Sequence, residues 1–260
     1  MRADEQTLTV GDVTLAYETH GDPKRETLLL LHGFLGSRAD WEHVFSPEDF
    51  ANLARHHHLL LVDLPGHGAS KWGARGFSHR QSAEVMFALL DHLKITRVKG
   101  IGVSGGGNVL LHMATQQPSR VVAMVITGCP SHFPAQARRL MALVPPEGQG
   151  EEDWRIMRAR HKHGDDQIRA LWRQAREFKD SHHDMNFTPP LLGTITARTL
   201  MVNGDRDPLY PIEMFVEMYR AIPNSQLWIV PGGGHGPIYG EQRAAFVATA
   251  RAFLTDPVPA

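Results

Sequence analysis

Short apolar runs alternate with longer amphipathic stretches along most of the chain. Two runs, Thr7 to Val10 and Val13 to Glu18, flank Gly11-Asp12 and predict an antiparallel hairpin. Six later runs are almost wholly apolar, which is typical of strands buried on both faces of a sheet. They are Leu28 to Leu31, Leu59 to Val62, Val98 to Val103, Val121 to Ile126, Leu200 to Val202 and Leu227 to Val230.

Helices are predicted between these strands, because apolar residues recur there at spacings of three and four. The recurring positions are Ala83, Phe87, Leu90 and Leu93, then Met214, Met218 and Ala221, and finally Phe246, Ala250 and Phe253. Another helix runs from Asn108 to Gln116 and ends before Pro118. The alternation predicts an α/β fold with a mostly parallel, eight-stranded sheet and helices on both sides.

Residues 131–190 interrupt the alternation, because they contain no predicted buried strand. Within them, residues 151–184 carry eight basic and eight acidic side chains. Two amphipathic helices are predicted there, one from Trp154 and Met157 and one from Ile168, Leu171, Trp172 and Ala175. We interpret residues 131–190 as a helical cap, or lid, inserted in a core domain of residues 1–130 and 191–260. A charged surface helix pair without a functional role is the alternative.

The composition is that of an ordinary globular protein, with 260 residues, 42% hydrophobic and 21% charged. A net charge of −1 gives no general attraction to nucleic acid or to an anionic membrane. No apolar run approaches the roughly 20 residues that span a bilayer, and residues 1–6 contain no apolar leader segment. The single Cys129 excludes an intramolecular disulfide. We expect a cytoplasmic protein without nucleic-acid or membrane partners, and we assign no oligomeric state.

A serine lies in a glycine-rich turn between a predicted strand and a predicted helix. The sequence Gly102-Val103-Ser104-Gly105-Gly106 places glycines two positions before and two after Ser104. A sharp turn of this kind strains the serine backbone and needs neighbours without a Cβ. The hydroxyl of Ser104 would then stand at the carboxyl edge of the sheet. Taken alone, the motif would also fit a glycine-rich helix start with an incidental serine.

The same stretch also satisfies the dinucleotide-binding pattern, from Gly100 to Gly105. That pattern requires an acidic residue about 20 positions further on to hold the ribose. No Asp or Glu occurs between Asp91 and Glu147, and no glycine-rich phosphate loop with Gly-Lys-Ser/Thr is present. We therefore expect no nucleotide and no other cofactor.

Two further loops bring the groups that would activate a serine. Asp205 and Asp207 follow the predicted strand that ends at Val202, and His235 follows the one that ends at Val230. The carboxyl ends of parallel strands lie at one edge of the sheet, so these loops should meet Ser104. A nucleophilic serine needs a base within hydrogen-bond reach and a carboxylate that orients the base.

A fourth loop, His32 to Gly36, follows the first parallel-type strand. A glycine-rich loop there can point a backbone N–H toward the serine. Together with the N–H of Gly105 it would form an oxyanion hole.

Five separated motifs resemble those of a capped, esterase-like α/β-hydrolase. They are His32-Gly33-Phe34, residues 63–70 (Asp-Leu-Pro-Gly-His-Gly-Ala-Ser), residues 102–106, Gly204 to Asp207, and Gly234-His235. The resemblance covers nearly the whole chain.

The resemblance implies that Ser104 is the nucleophile, His235 the general base and Asp207 the orienting acid. It also implies an oxyanion hole formed by the N–H groups of Phe34 and Gly105. Asp205 is the alternative acid. In the family, the loop that begins at Asp63 is structural. A serine at the turn also argues against the relatives that use an aspartate nucleophile, the epoxide hydrolases and haloalkane dehalogenases.

The sequence contains 16 histidines, which could indicate a metal site or proton transfer. His32 resembles a structural histidine of the family. The run His56 to His58 precedes a strand, where neighbouring rings would point to opposite faces. The pairs His161/His163 and His182/His183 lie in the charged insertion, and we expect them to be solvated. No metal-ligand spacing is present, so we expect no metal.

These observations predict hydrolysis of uncharged carboxylic esters with short to medium acyl groups. Phe34 and Leu35 from the core, with Trp154 and Trp172 from the cap, are the candidate substrate-binding residues. The same triad also serves carbon–carbon bond hydrolases, enol-lactonases and perhydrolases. A ligand receptor with a slow triad is an alternative of a different class.

Overall fold

The computed structural model describes residues 4–145 and 150–255. Residues 1–3, 146–149 and 256–260, which fall within the predicted core and cap, lie outside the described residues. One sheet of eight strands has the order β1-β2-β4-β3-β5-β6-β7-β8. The strands are β1 Gln6–Val10, β2 Val13–His20, β3 Thr27–Leu31, β4 His58–Val62, β5 Val98–Val103, β6 Val121–Thr127, β7 Arg198–Gly204 and β8 Ser225–Val230.

The sheet is antiparallel at one edge and parallel elsewhere. β1 pairs with β2, and β2 with β4, in antiparallel register, whereas all pairs from β4 to β8 are parallel. The register sets Leu31, the last residue of β3, opposite Val62 of β4 and Gly102 of β5. The parallel strands therefore end together at one edge, and the predicted mostly parallel eight-stranded sheet is confirmed.

The helices connect these strands. They are α1 Pro47–His56, α2 His79–His92, α3 Gly105–Gln116, α4 Ala135–Ala142, α5 Glu151–Arg160, α6 Gly164–Glu177, α7 Pro189–Leu192, α8 Ile212–Ala221 and α9 Arg243–Thr255. The spacing of apolar residues does not predict α1, although the residues at its N-terminus are typical of a helix start. The Ser46 hydroxyl accepts from the N–H of Asp49, the Asp49 carboxylate accepts from the N–H of Ser46, and Pro47 occupies the first turn.

Alternate residues of each central strand enter two separate cores. In β3, Leu28 and Leu30 face the core that is covered by α1 and α9, whereas Leu29 and Leu31 face the core that is covered by α2, α3 and α8. All four leucines are fully buried. Each contributes on the order of 2 kcal/mol of burial free energy, so the sheet is stabilised from both faces.

Across the described residues, no helix has both the length and the apolar character that a membrane span requires.

The chain between β6 and β7 contains α4 to α7 and, within its described residues, no strand beyond an isolated bridge from His132 to Asn186. We call residues 131–190 the helical insertion. Its apolar side chains form a small cluster of their own with residues of the core loops. The buried members are Met157, Ile168, Leu171 and Trp172, and Phe34, Leu35, Trp72, Val144 and Trp154 pack against them.

The start of α3 packs directly on the end of β3. A Cβ on Gly106 would lie 2.2 Å from the carbonyl oxygen of Leu31 and 2.5 Å from that of His32. Both contacts are with backbone atoms, which cannot move aside without displacing the strand. A side chain at residue 106 is therefore incompatible with the observed packing.

We expect Gly106→Ala to lower the free energy of unfolding by about 2–4 kcal/mol, which corresponds to a loss in Tm of roughly 5–10 °C. Gly193→Ala is the matched control, because a Cβ there would meet its neighbours at 3.4 Å or more. Thermal unfolding followed by circular dichroism measures both variants. Equal Tm values for the two variants would contradict the close approach of α3 to β3.

Candidate active site

Ser104 occupies a left-handed turn between β5 and α3. Its φ of 48° and ψ of −114° lie outside the regions that ordinary side chains adopt. The turn is held by two backbone hydrogen bonds. The N–H of Ser104 donates to the carbonyl of Thr127 (2.7 Å), and the Ser104 carbonyl accepts from the N–H of Asn108 (2.9 Å). The hydroxyl is thereby fixed at the carboxyl edge of the sheet.

A chain of hydrogen bonds links Ser104 to two residues from distant loops. His235 Nε2 lies 3.0 Å from Ser104 Oγ, and His235 Nδ1 lies 2.9 Å from Asp207 Oδ2. The carboxylate can only accept, so Nδ1 donates to it and Nε2 is left to accept from the serine hydroxyl. The other oxygen of Asp207 accepts from the N–H groups of Leu209 (2.8 Å) and Tyr210 (3.3 Å). The Asp207 side chain is fully buried, so its orientation is fixed.

Asp205, the alternative acid, and Asp63, which also follows a strand, have partners other than His235. Asp205 accepts from the N–H of Gly232 at 2.6 Å and braces the loop that carries His235. Asp63 accepts from the guanidinium of Arg38 and from the N–H groups of Arg38 (2.7 Å) and Ala69 (2.9 Å). The structure thus brings Asp207, rather than Asp205 or Asp63, to the imidazole.

The backbone nitrogen of Phe34 lies against Gly105, the residue after the serine. A Cβ built on Gly105 would be 3.1 Å from the Phe34 nitrogen, so the loop after β3 touches the first residue of α3. Residues 33–36 form a tight turn in which the N–H of Gly36 donates to the carbonyl of Gly33 (3.0 Å). An arrangement of this kind can hold negative charge on a substrate oxygen.

His32 connects this loop to the loop after β4 by hydrogen bonds. It is buried, its Nε2 accepts from the N–H of Leu64 (3.0 Å), and its Nδ1 donates to the carbonyl of Gly33 (2.8 Å). Burial lowers the pKa of His32, which keeps the ring neutral. These contacts agree with the structural role that the sequence suggested.

The four candidate substrate-binding residues belong to one apolar cluster. Trp172 is 2% exposed, and its ring centroid lies 4.6 Å from that of Trp154. Phe34 and Leu35 pack against the same cluster, which joins the helical insertion to the loop beside Ser104. The pattern did not lead us to include Trp72, which follows a short glycine-rich loop and lies outside any predicted element.

Phe34 has further aromatic neighbours that the sequence did not indicate. Its ring centroid lies 4.7 Å from His67 and from Phe178, and 5.1 Å from Phe77, with edge-to-face geometry. These residues come from three different loops and helices. Only the folded chain brings them together.

The expectation that His161 is solvated is wrong. His161 is only 3% exposed and makes hydrogen bonds with Gly68 and Leu35. The charged composition around it describes the outer faces of α5 and α6, whereas His161 lies at the corner between them, which packs on the core. His163, His182 and His183 are exposed, as expected.

The run of three histidines does not lie in one strand. His56 ends α1, His57 follows it, and His58 begins β4. The argument from strand alternation therefore does not apply to them. Within residues 4–145 and 150–255, no group of three or more His, Cys, Asp or Glu side chains is arranged to hold a metal ion.

Comparison with known proteins identifies the family. The chain matches the sequence profile of the Alpha/beta hydrolase family over residues 28–250, and it belongs to that family. A 2-hydroxy-6-oxononadienedioate/2-hydroxy-6-oxononatrienedioate hydrolase of Cupriavidus pinatubonensis is 28% identical over 240 residues, which cover 81% of this chain and 80% of the relative.

Solved structures show the same fold. A hydrolase from Pseudomonas aeruginosa has a TM-score of 0.77 at 21% identity and covers 97% of this chain and 99% of its own. The esterase RhEst1 from Rhodococcus sp. has a TM-score of 0.73 at 22% identity and covers 98% of this chain and 99% of its own. At these identities the likeness concerns the fold.

Several histidines besides His32 are buried in a neutral state. Burial lowers the pKa of His112 to about 4, against the opposing effect of Asp184, and lowers that of His161 to about 3. In the unfolded chain these groups titrate near 6.5, so below that pH the unfolded state binds more protons. The free energy of unfolding should therefore fall as the pH falls from 6.5 toward 4.

We expect each such histidine to contribute up to about 1.4 kcal/mol per pH unit to this loss. Urea unfolding at pH 7.5, 6 and 5 measures it. His112→Gln should make the dependence shallower, and His182→Gln, at an exposed position, should leave it unchanged. A stability independent of pH over this range would show that the buried rings are not held neutral.

Proposed function

We propose that this protein is a serine hydrolase that cleaves carboxylic esters through an acyl-enzyme. The observation that carries the proposal is the continuous hydrogen-bond chain Ser104–His235–Asp207 beside the N–H groups of Phe34 and Gly105. Nucleophile, base, orienting acid and oxyanion donors are the complete set that acyl transfer requires. Membership of a hydrolase family and the likeness to an esterase fold are consistent with it.

In the first step, Ser104 Oγ attacks the ester carbonyl while its proton moves to His235 Nε2. The carbonyl oxygen becomes negative and accepts hydrogen bonds from the N–H groups of Phe34 and Gly105. Each oxyanion donor is worth on the order of 3 kcal/mol in the transition state. Collapse of the tetrahedral intermediate breaks the bond to the alcohol, and the imidazolium of His235 returns the proton to the leaving oxygen.

In the second step, water replaces the alcohol and attacks the acyl-enzyme. His235 takes a proton from the water and then gives it to Ser104 Oγ as the acid leaves. Asp207 stays ionised throughout, because it holds Nδ1–H and stabilises the imidazolium without accepting the proton.

We infer that the helical insertion is a cap and that Phe34, Leu35, Trp154 and Trp172 form an apolar wall of the substrate site. Their common cluster supports this inference. An apolar wall favours an uncharged ester.

The arginines of the helical insertion also favour an uncharged substrate, because many of them already have partners. Those bound to carboxylates are Arg155, Arg158, Arg160 and Arg169, and those bound to backbone carbonyls are Arg138 and Arg176. Arg139 and Arg173 are exposed on the outside. Of these arginines, Arg138, Arg160 and Arg176 are partly buried with their partners, which makes them poor ligands for a substrate anion.

Carbon–carbon bond hydrolysis is the second candidate. The relative that is 28% identical is a 2-hydroxy-6-oxononadienedioate hydrolase, and the same triad can serve such a reaction. A dioate carries two carboxylates, which the paired arginines do not favour. Turnover of a vinylogous diketone in preference to esters would establish this second activity.

The proposal is tested with neutral p-nitrophenyl esters of short and medium acyl chains, and with anionic analogues of the same length. We expect a burst of p-nitrophenol followed by steady turnover, and a preference for the neutral esters. Ser104→Ala should lower kcat by at least about 10³-fold with an unchanged Tm, because it removes the nucleophile. Ser82→Ala, which changes a buried serine of α2, should retain full turnover.

Retained turnover in Ser104→Ala would contradict the assignment of the nucleophile. A single stoichiometric burst in the wild type without further turnover would favour a receptor with a slow triad. Preferential turnover of the anionic esters would contradict the uncharged substrate class.

The two acidic residues of the β7 loop provide a matched pair. We expect Asp207→Asn to lower kcat by about 10³- to 10⁴-fold, because His235 would lose the acceptor that fixes its tautomer. Asp205→Asn should lower kcat by less than about 10-fold, because Asp205 contacts only the supporting loop. Steady-state kinetics of both variants measures the difference. A larger loss in Asp205→Asn would identify Asp205 as the orienting acid.

A further inference from the structure

The turn that presents the Phe34 N–H contains a backbone conformation that its sequence does not favour. Leu35, the third residue of the turn formed by residues 33–36, has a φ of 67°. Glycine normally occupies such a position, since a side chain is strained there. A leucine keeps this conformation only where the surroundings over-determine it. The turn therefore needs a partner outside its own hydrogen bond from Gly36 to Gly33.

That partner is His161, from the corner between α5 and α6. Its Nδ1 lies 2.9 Å from the nitrogen of Gly68, and its Nε2 lies 3.3 Å from the carbonyl oxygen of Leu35. A backbone N–H can only donate, so Nδ1 is the acceptor and the ring proton sits on Nε2. The Nε2–H then donates to the Leu35 carbonyl. One neutral imidazole thus joins two loops of the core.

His32 makes the same kind of arrangement with this turn. His32 also accepts from an N–H of the 63–70 loop, that of Leu64, and donates to a carbonyl of the 33–36 turn, that of Gly33. Two imidazoles therefore donate hydrogen bonds to carbonyls of the same turn. His32 resembles a structural residue of the family, whereas His161 comes from the helical insertion.

Neighbouring contacts fix His161 in place. The N–H of Lys162 donates to the carbonyl of Gly68 (2.9 Å), and Arg160 pairs with Asp40 (2.9 Å). Burial, with smaller effects from His32, Arg160 and Lys162, lowers the pKa of His161 to about 3. The ring keeps one donor and one acceptor at neutral pH, as the bridge requires.

We propose that His161 is a positioning residue of the oxyanion hole: it holds the strained Leu35 turn so that the Phe34 N–H points at the substrate oxygen. The kinetic part of this inference rests on the proposed ester hydrolysis. Its structural part, the hold on the turn, can be measured without any substrate. His161 acts through the turn and does not touch the reacting atoms.

The first measurement is amide hydrogen exchange at Gly36, whose N–H closes the turn by donating to Gly33. His161→Phe keeps a ring but removes both hydrogen bonds, and we expect exchange at Gly36 to become at least about 10-fold faster. His161→Leu provides a second apolar variant if the larger ring destabilises the protein. His161→Gln can accept from Gly68 and donate to Leu35, so it should restore slow exchange.

His163→Phe is the matched control. His163 lies two residues away and donates from Nε2 to the carbonyl of Ala69 (2.9 Å), so it anchors the same corner without touching the 33–36 turn. Exchange at Gly36 should stay at the wild-type rate in this variant. Equal acceleration in His163→Phe and His161→Phe would overturn the inference, because general docking of the insertion would then explain the effect.

The second measurement is steady-state hydrolysis of a neutral p-nitrophenyl ester. We expect His161→Phe to lower kcat about 10-fold with KM within about 3-fold of wild type, since a displaced oxyanion donor weakens transition-state binding more than substrate binding. His161→Gln should recover kcat. If His161 only stabilised the fold, its loss would not lower kcat selectively while leaving KM nearly unchanged.

The outcomes separate the two proposals. If the wild type hydrolyses no ester, the proposed function fails, while exchange at Gly36 still decides whether His161 holds the turn. If the wild type is active and His161→Phe shows either unchanged exchange at Gly36 or unchanged kcat, the inference about His161 is overturned.

Discussion

The left-handed backbone at Ser104 is the constraint on which the rest of the site depends. This backbone conformation raises the free energy of a non-glycine residue by about 1–3 kcal/mol. Favourable contacts in the surrounding structure must offset that strain. The hydrogen bonds to Thr127 and Asn108 fix the turn from both sides. The glycine at 106 lets α3 begin against the end of β3, and that contact brings the Phe34 loop to the same place. The strained turn at Ser104 thus sets the positions of the proposed nucleophile and the proposed oxyanion donors together.

The sheet and the grouping of Ser104, Asp207 and His235 could be predicted from the sequence for one physical reason. Parallel strands that are buried on both faces must be apolar throughout, so their ends are visible as the points where the polar residues begin. Ser104, Asp207 and His235 each follow such an end, and the ends of parallel strands meet at one edge. The strand ends therefore predict which loops lie around Ser104. The structure then shows that Asp207, and not Asp205, is hydrogen-bonded to His235.

The helical insertion could not be predicted at the same level of detail. Its charged composition reflects the exposed faces of α5 and α6. Composition does not indicate which residue between the two helices packs on the core. His161 is buried against the loops that follow β3 and β4, where it contacts Leu35 and Gly68. The aromatic neighbours of Phe34 are similarly set by tertiary packing between distant segments. Two of the 16 histidines, His32 and His161, share one role: each accepts from an N–H of one loop and donates to a carbonyl of another.

The order of the site residues along the chain has a consequence for the synthesis of the protein. The elements that contact the Ser104 turn, which are β3, β5, α3 and β6, all precede residue 128. His235, the proposed base, comes 131 residues later and follows β8, an edge strand of the sheet. A nascent chain that ends within the helical insertion contains Ser104 but not His235, its hydrogen-bond partner. The hydrogen bond between Ser104 and His235 therefore forms only when β8 has joined the sheet, so the site cannot be complete before the sheet is.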